Sequence, residues 1–415
     1  MVEHLVTGFG GNGGLMRLRL VGLVGLVAGV LVVPQAQAQQ RGNVVLEWYD
    51  VTKQVLAAEP APTQITNNRS WAIAWLAAAR VDHGGRDFSG RDFGRDFTDA
   101  AVATAVHDSL VQLAPTQVGA LDQALTTTLD RVPRGSAKDR GKAEGAAQAR
   151  RALAEREGDG LDPASVNAPF PVPTPAPGVW QPTPPAYGPA IQYGNRVARP
   201  YLLRRPNQFR PGPPPALDSE RYRKDLAEVR DYGSATSTVR TPAQTEVASF
   251  WYQGSQPAFV DVLRVALAKS PSARLVAEFN VIAVDTQIAT SDAKYAYQLW
   301  RPVTALRATG LPDWTPLHVT PSHPDYPSGH ATYAGFAQEV LTALTGPALS
   351  EPFDLTSTTA PGVVFHYRAW SEITRDTVNA RVWSGIHTRV ADEVGVQVGR
   401  NVAGYDLTKF DSLLR

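Results

Sequence analysis

The stretch HPDYPSGHATYAGF, residues 323–336, decides how the rest of the chain is read. Pro327 and Ser328 are good helix-starting residues, and an apolar helical pattern begins at His330. The small Ser328-Gly329 pair leaves the first backbone N–H groups of that helix uncovered, so an anion could sit directly on them. Two other segments bear on which anion that is.

In SDAKYAYQLWRPVTALR, residues 291–307, Lys294 and Arg301 are seven apart. That is close to two helical turns, which predicts that both cations project from one helix face, with Pro302 ending the helix after Arg301. In NARVWSGIHTRVADEVG, residues 379–395, Arg381 and His387 would lie about 240° apart on one continuous helix. Ser384-Gly385 interrupts it, so Arg381 can close one helix and His387 open the next, both facing a common pocket. Singly, the segments read as a solvated basic face, a plain helix start with a partly buried histidine, and a structural Arg and His. Together they supply three cations, neutral donors at Ser328 and Gly329, and two imidazoles. That is the inventory for wrapping a tetrahedral oxyanion and performing acid–base chemistry on it.

Composition sets the frame for such a site. The 415 residues are 43% hydrophobic and 19% charged, enough for a large core and one large or two ordinary domains. Forty basic against 39 acidic residues, with no long basic run, speak against a nucleic-acid partner. The absence of cysteine excludes disulfides, thiolate metal sites and a Cys nucleophile. Near the N-terminus, Arg17 and Arg19, the apolar run Leu20 to Val33 and Ala36-Gln37-Ala38 read as a secretory signal, residues 1–38, with translation starting at Met1 or Met16. The run is short for a membrane span and no later stretch reaches that length uncharged, so the mature chain is expected to be soluble and exported, to a periplasm or outside the cell.

Four regions follow from the pattern. Residues 39–160 carry amphipathic helical spacing, as in VVLEWYDVTKQVLAAE, interrupted at 84–97 by three copies of Gly-Arg-Asp-Phe, which read as an inserted surface loop. Residues 161–218 hold about half of the 33 prolines together with Trp180, Tyr187, Tyr193, Tyr201 and Phe209. Such a segment is neither helix nor central strand, and its aromatics suggest an extended strap laid over the folded body. Helical signals resume over 219–415. Without sustained alternating strands or a dinucleotide-binding turn, the expected fold is all-α.

The order K-x6-R-P, P-S-G-H, R-x5-H resembles the signature of the type 2 phosphatidic acid phosphatase and vanadium-dependent haloperoxidase superfamily. VVLEWYDV, PGVWQPTPPAYGPA, QFRPGPPPALDSERYRKDLAEVRDYG and RTPAQTEVASFW look like its soluble, exported haloperoxidase-like branch. The resemblance implies helical bundles around an oxyanion site. Lys294, Arg301 and Arg381 would neutralise the oxygens of vanadate, with phosphate able to take the same place, and Ser328 and the Gly329 amide would hydrogen-bond to them. His387 would be the metal ligand, and His330 the acid–base residue. Hydrogen peroxide and halide would be the substrates, with the organic acceptor unspecified and a homodimer left open. The motif serves two chemistries, halide oxidation or phosphomonoester hydrolysis through a phosphohistidine, and an inactive oxyanion-binding protein is a third reading. His323, seven residues before His330, stands where the family's chloroperoxidases carry an aromatic residue and its bromoperoxidases a histidine, which points to bromide or iodide. Two positions depart from the family pattern: Ala380 replaces a serine, and Ala391 an aspartate, with Asp392 one step later as the expected support for the histidine ring. Asp285 is expected to partner one of the arginines.

Overall fold

The computed structural model describes residues 42–60, 63–84 and 91–415. The signal sequence and the first Gly-Arg-Asp-Phe copy lie outside the described residues. Asn43 caps α1 (Val44–Ala58) by accepting from the Val45 and Leu46 amides, and α2 (Gln64–Gly84) follows. Then come α3 (Arg91–Leu113), α4 (Val118–Asp130) and α5 (Ser136–Glu155).

Helix α3 overturns one expectation, because residues 91–97 of the repeat form its first turns instead of a surface loop. Packing outweighs the glycine penalty of about 1 kcal/mol. Phe97 is buried, and α5 crosses so closely that a Cβ on Gly141 or Gly145 would stand 2.4 Å from the Phe97 or Ala101 carbonyl oxygen.

After the short α6 (Pro163–Val166), residues up to 218 run extended apart from two single 3-10 turns. This strap docks on the long central helix of the C-terminal part. Trp180 is wholly buried, and its backbone N–H donates to Gln298 O at 2.8 Å while the Trp300 backbone N–H returns to Gly178 O at 2.9 Å. The Asp285 carboxylate accepts from the amides of Tyr201, Leu202 and Leu203 at 2.6, 2.7 and 3.0 Å. Asp285 therefore anchors the strap and makes no hydrogen bond to an arginine, contrary to the sequence expectation. Arg210 grips Asp292 with two bonds of 2.7 Å.

The C-terminal part contains α7 (Glu220–Tyr232), α8 (Pro242–Phe250), α9 (Ser255–Lys269), α10 (Ala273–Tyr297), α11 (Pro302–Ala308) and α12 (Gly329–Thr345). A hairpin, β1 (Ala348–Thr356) and β2 (Val364–Ala369), precedes α13 (Trp370–Trp383) and α14 (Arg389–Leu407). Among the described residues the fold is all-α apart from this antiparallel pair, whose alternating burial the sequence reading missed. Helix α10 is buried almost end to end at the centre of the bundle, its polar residues Asn280, Asp285, Asp292 and Lys294 included. One hydrophobic core runs from Val44 to Leu414. No helix among the described residues is long and apolar enough to cross a membrane.

The crossing of α12 and α14 positions the site. Hypothetical Cβ atoms on Gly335, Gly395 and Gly399 would stand 2.3, 2.7 and 2.1 Å from backbone oxygens of the facing helix or its cap. Only hydrogen atoms fit there, so the start of α12 is pressed against the start of α14.

Candidate active site

Three chain reversals bring the expected residues together. Lys294 lies in the last turn of α10, which ends at Gln298 in the left-handed conformation (φ 51°, ψ 33°). Arg301 is outside that helix: Pro302 forces it extended (φ −83°, ψ 155°), and it caps α11. The two cations thus meet through a reversal and not through helical periodicity, which corrects the seven-residue spacing argument. Ser328 caps α12, its hydroxyl accepting from Ala331 N–H at 3.5 Å, and the N–H groups of Gly329 and His330 have no intrahelical acceptor. Between α13 and α14, Gly385 takes φ 79°, turning the chain so that Arg381 and His387 face the same interior.

Lys294, His323, Gly329, His330 and His387 line a cavity of about 190 Å³ together with Gln64, Ser255, Gln287, Thr290 and Tyr333. Arg301, Arg381 and Ser328 are buried without lining it. Arg301 reaches it through the imidazoles, its Nη1 lying 3.1 Å from His387 Nε2 and its Nη2 donating to His323 Nδ1 at 2.9 Å. It also donates to His323 O (2.6 Å) and Ile386 O (2.7 Å). Lys294 Nζ donates to the carbonyls of Pro324 (2.7 Å) and Asp325 (3.2 Å). Arg381 Nη1 donates to Trp251 O at 3.0 Å, and its Nε has no partner.

Burial dominates the electrostatics. Desolvation, then the charge of Arg301, pulls Lys294 well below the normal lysine range. Desolvation likewise brings Arg301 and Arg381 each down to about 10. Three cations made uncomfortable by lost water, none of them in an ion pair among the described residues and only partly offset by the buried Asp325 and Asp392, leave room for a multiply charged anion. The histidines are held neutral. His330 is pushed well below 6.5 by burial and then by Arg381, His387 by burial and then by Arg301, and His323 by burial and then by Lys294. His330 Nε2–H is 2.9 Å from Gln253 O, and a carbonyl only accepts, so Nδ1 carries the lone pair that can take a proton.

Sequence reasoning assigned no role to Asp325, although the residue sits inside the opening motif. It is wholly buried, and its Oδ1 stands 2.6 Å from His387 Nδ1 while Oδ2 accepts from the Thr388 hydroxyl at 2.7 Å. Its signal was a carboxylate placed two residues before the Pro327 of a helix start. Asp392, expected to support the ring, has no hydrogen bond to it, and burial raises its carboxyl well above the usual range. The hairpin also serves the site. Thr358 and Thr359 at its tip hold Gln253 through bonds of 3.1 Å, fixing the loop whose carbonyls orient His330 and Arg381.

Residues 274–415 match the sequence family described as the VCPO second helical-bundle domain, VCPO being vanadium chloroperoxidase. The chain is 31% identical to the vanadium chloroperoxidase of Curvularia inaequalis over an aligned stretch of 135 positions, which covers 24% of this chain and 22% of that protein. The matched part is thus less than a quarter of that relative's length. In three dimensions, a bacterial vanadium-dependent iodoperoxidase superposes with TM-score 0.75 at 23% identity, covering 89% of this chain and 97% of that one. A holo-type bacterial vanadium-dependent chloroperoxidase gives TM-score 0.66 at 16% identity, covering 91% and 95%. Residues 274–415 thus match the VCPO second helical-bundle domain, and the chain has the fold of the vanadium-dependent haloperoxidases on which it superposes.

Proposed function

We propose that the chain is an exported vanadium-dependent haloperoxidase that oxidises bromide or iodide with hydrogen peroxide to hypohalous acid. The carrying observation is the convergence of Lys294, Arg301 and Arg381, buried and outside any ion pair among the described residues, around two neutral imidazoles whose free nitrogens are set by their other hydrogen bonds. That donor set fits vanadate: the orphaned Arg381 Nε and the uncapped amides of Gly329 and His330 are the groups an oxyanion would satisfy.

In this reading Lys294, Arg301, Arg381, Ser328 and the Gly329 amide would hold the oxygens of vanadate, and His387 Nε2 would bond the metal. Vanadate, when bound, supplies a Lewis-acid centre that activates peroxide toward halide without itself changing oxidation state. His330 Nδ1 takes the proton of incoming peroxide, a task that needs the neutral ring its surroundings enforce. The cavity is smaller than pockets that enclose organic ligands, commonly about 300–1,000 Å³, and suits peroxide and halide. His323, on the cavity wall and tied to Arg301, is the residue we assign to halide choice. Export is proposed from Arg17, Arg19, the apolar run and Ala36-Gln37-Ala38.

Purified protein loaded with orthovanadate should brominate or iodinate a halogen-accepting dye only when peroxide and halide are both present. Lack of turnover, together with vanadate-inhibited hydrolysis of a phosphomonoester, would replace this reading with the phosphatase. A mature N-terminus other than Gln39 would refute the cleavage site.

A further inference from the structure

We infer that Asp325 is a positioning residue that holds His387 in the tautomer able to bond the central atom of an oxyanion. The inference rests on the reading of His387 as the bonding histidine. His387 Nδ1 stands 2.6 Å from Asp325 Oδ1, with both residues at most 1% exposed. A carboxylate only accepts, so the ring proton sits on Nδ1 and Nε2 keeps its lone pair. Arg301 Nη1, 3.1 Å from Nε2 and 3.5 Å from Nδ1, lies against the ring and puts positive charge beside that lone pair.

The carboxylate is itself fixed from several sides. Oδ2 accepts from the Thr388 hydroxyl at 2.7 Å and the Thr388 amide at 3.4 Å. The Asp325 amide donates to Leu299 O at 2.9 Å, and its carbonyl accepts from Lys294. One residue of the loop before α12 therefore ties together the segments that carry Lys294, Arg301 and His387. Asp392, nearer to His387 in sequence, makes no hydrogen bond to the ring. The proton that Asp325 keeps on Nδ1 is what leaves Nε2 with a lone pair facing the cations.

Asp325→Asn tests this with almost no change of shape. The two Thr388 donors claim the amide oxygen, so the NH2 group faces Nδ1, which must then accept, and the ring proton moves to Nε2. Long-range proton–nitrogen spectra of the anion-free protein should show His387 as the Nδ1–H form in the wild type and the Nε2–H form in the variant. Orthovanadate affinity, followed by vanadium NMR and by calorimetry, should fall roughly 10–100-fold, the usual cost of losing an outer partner of a ligating histidine. Inorganic phosphate needs no bond to nitrogen and should keep its affinity within about threefold, a selectivity that general loosening of the fold would not produce. Adding Thr388→Val frees the amide to turn its oxygen toward Nδ1 and should restore part of the vanadate affinity.

An Nε2–H ring in the wild type overturns the inference whether or not the variant folds. So does a folded Asp325→Asn protein with unchanged vanadate affinity, or one that loses vanadate and phosphate equally. None of these readouts requires halide turnover, so a protein inactive as a peroxidase but showing the tautomer switch would lose the proposed function and keep this role for Asp325.

Discussion

Replacing Arg381 with Met should stabilise the anion-free protein while removing about half or more of its response to orthovanadate. Arg381 is 1% exposed, forms no ion pair among the described residues, and spends one donor on Trp251 O while Nε has no partner. A guanidinium brought from 12.5 down to about 10 by burial is disfavoured in its charged form by about 3 kcal/mol. Met fills similar space without that cost, and leaving Trp251 O unpaired takes back about 1 kcal/mol. Asp392 loses little, since burial already holds its carboxyl well above the usual range. The net gain of about 2 kcal/mol agrees with measured replacements of buried charges by apolar groups. For a chain of this length the unfolding entropy is on the order of 0.8 kcal/mol/K, so Tm should rise by about 2–3 °C. Orthovanadate at a hundred times its Kd adds about 2.7 kcal/mol to the wild type, a shift of about 3 °C. Loss of charge-assisted bonds worth about 1.5–3 kcal/mol cuts the variant's affinity by roughly 10–150-fold, which leaves a shift of about 2 °C at most. Differential scanning calorimetry with and without orthovanadate gives both quantities. A variant that melts several degrees below the wild type without anion, yet retains the full shift, would refute the idea of an uncompensated charge awaiting an oxyanion.

Three further outcomes follow from the same geometry. Gly395→Ala places a Cβ 2.7 Å from Ser328 O and should cost about 1–3 kcal/mol by prising the α12 cap from α14, lowering both Tm and the orthovanadate shift. Gly404→Ala, where a Cβ meets nothing within 4 Å, should do neither. His318 is lowered to about 4 by burial and then by Arg381, so the unfolded chain binds protons that the fold refuses. The contribution of His318 to stability should therefore be lost as pH drops from 6.5 toward 4, with the three depressed cavity histidines acting in the same sense. Asp325, raised to about 6 by burial, acts in the opposite sense between 3.8 and 6, as do the buried and raised carboxyls of Asp285, Asp392 and Asp406. Urea titrations from pH 7 to 4 should show His318→Asn with a flatter profile than the wild type, and parallel profiles would count against it. Asp285→Ala strips three backbone amides of their acceptor, each worth about 1–3 kcal/mol when left unpaired. Amide exchange at Tyr201, Leu202 and Leu203 should then accelerate far more than exchange in α12.

How much of this was legible in the sequence depends on whether a residue's role is local. The Ser328 cap and the break at Ser384-Gly385 are decided within a few residues, by an N-cap hydroxyl and a glycine at positive φ, and both were readable. Residues 91–97 read as loop because glycine propensity is local, whereas the packing of Phe97 against α5 depends on glycines more than forty residues downstream. The hairpin stayed hidden because its two strands pair only with each other, too short a run of alternation to stand out among helices. Lys294 and Arg301 were brought together for the wrong reason: heptad spacing fits one helix, but Gln298 ends α10 early and Pro302 holds Arg301 extended, so the pairing survives through a turn. Asp325 and Asp285 show the other limit. A buried carboxylate is defined by its donors, and those belong to Thr388 and His387 in one case and to the strap in the other, more than sixty positions away. Cations and imidazoles announced the anion because their chemistry is unusual wherever they stand. The carboxylates that orient them became visible only once the chain had brought their partners to them.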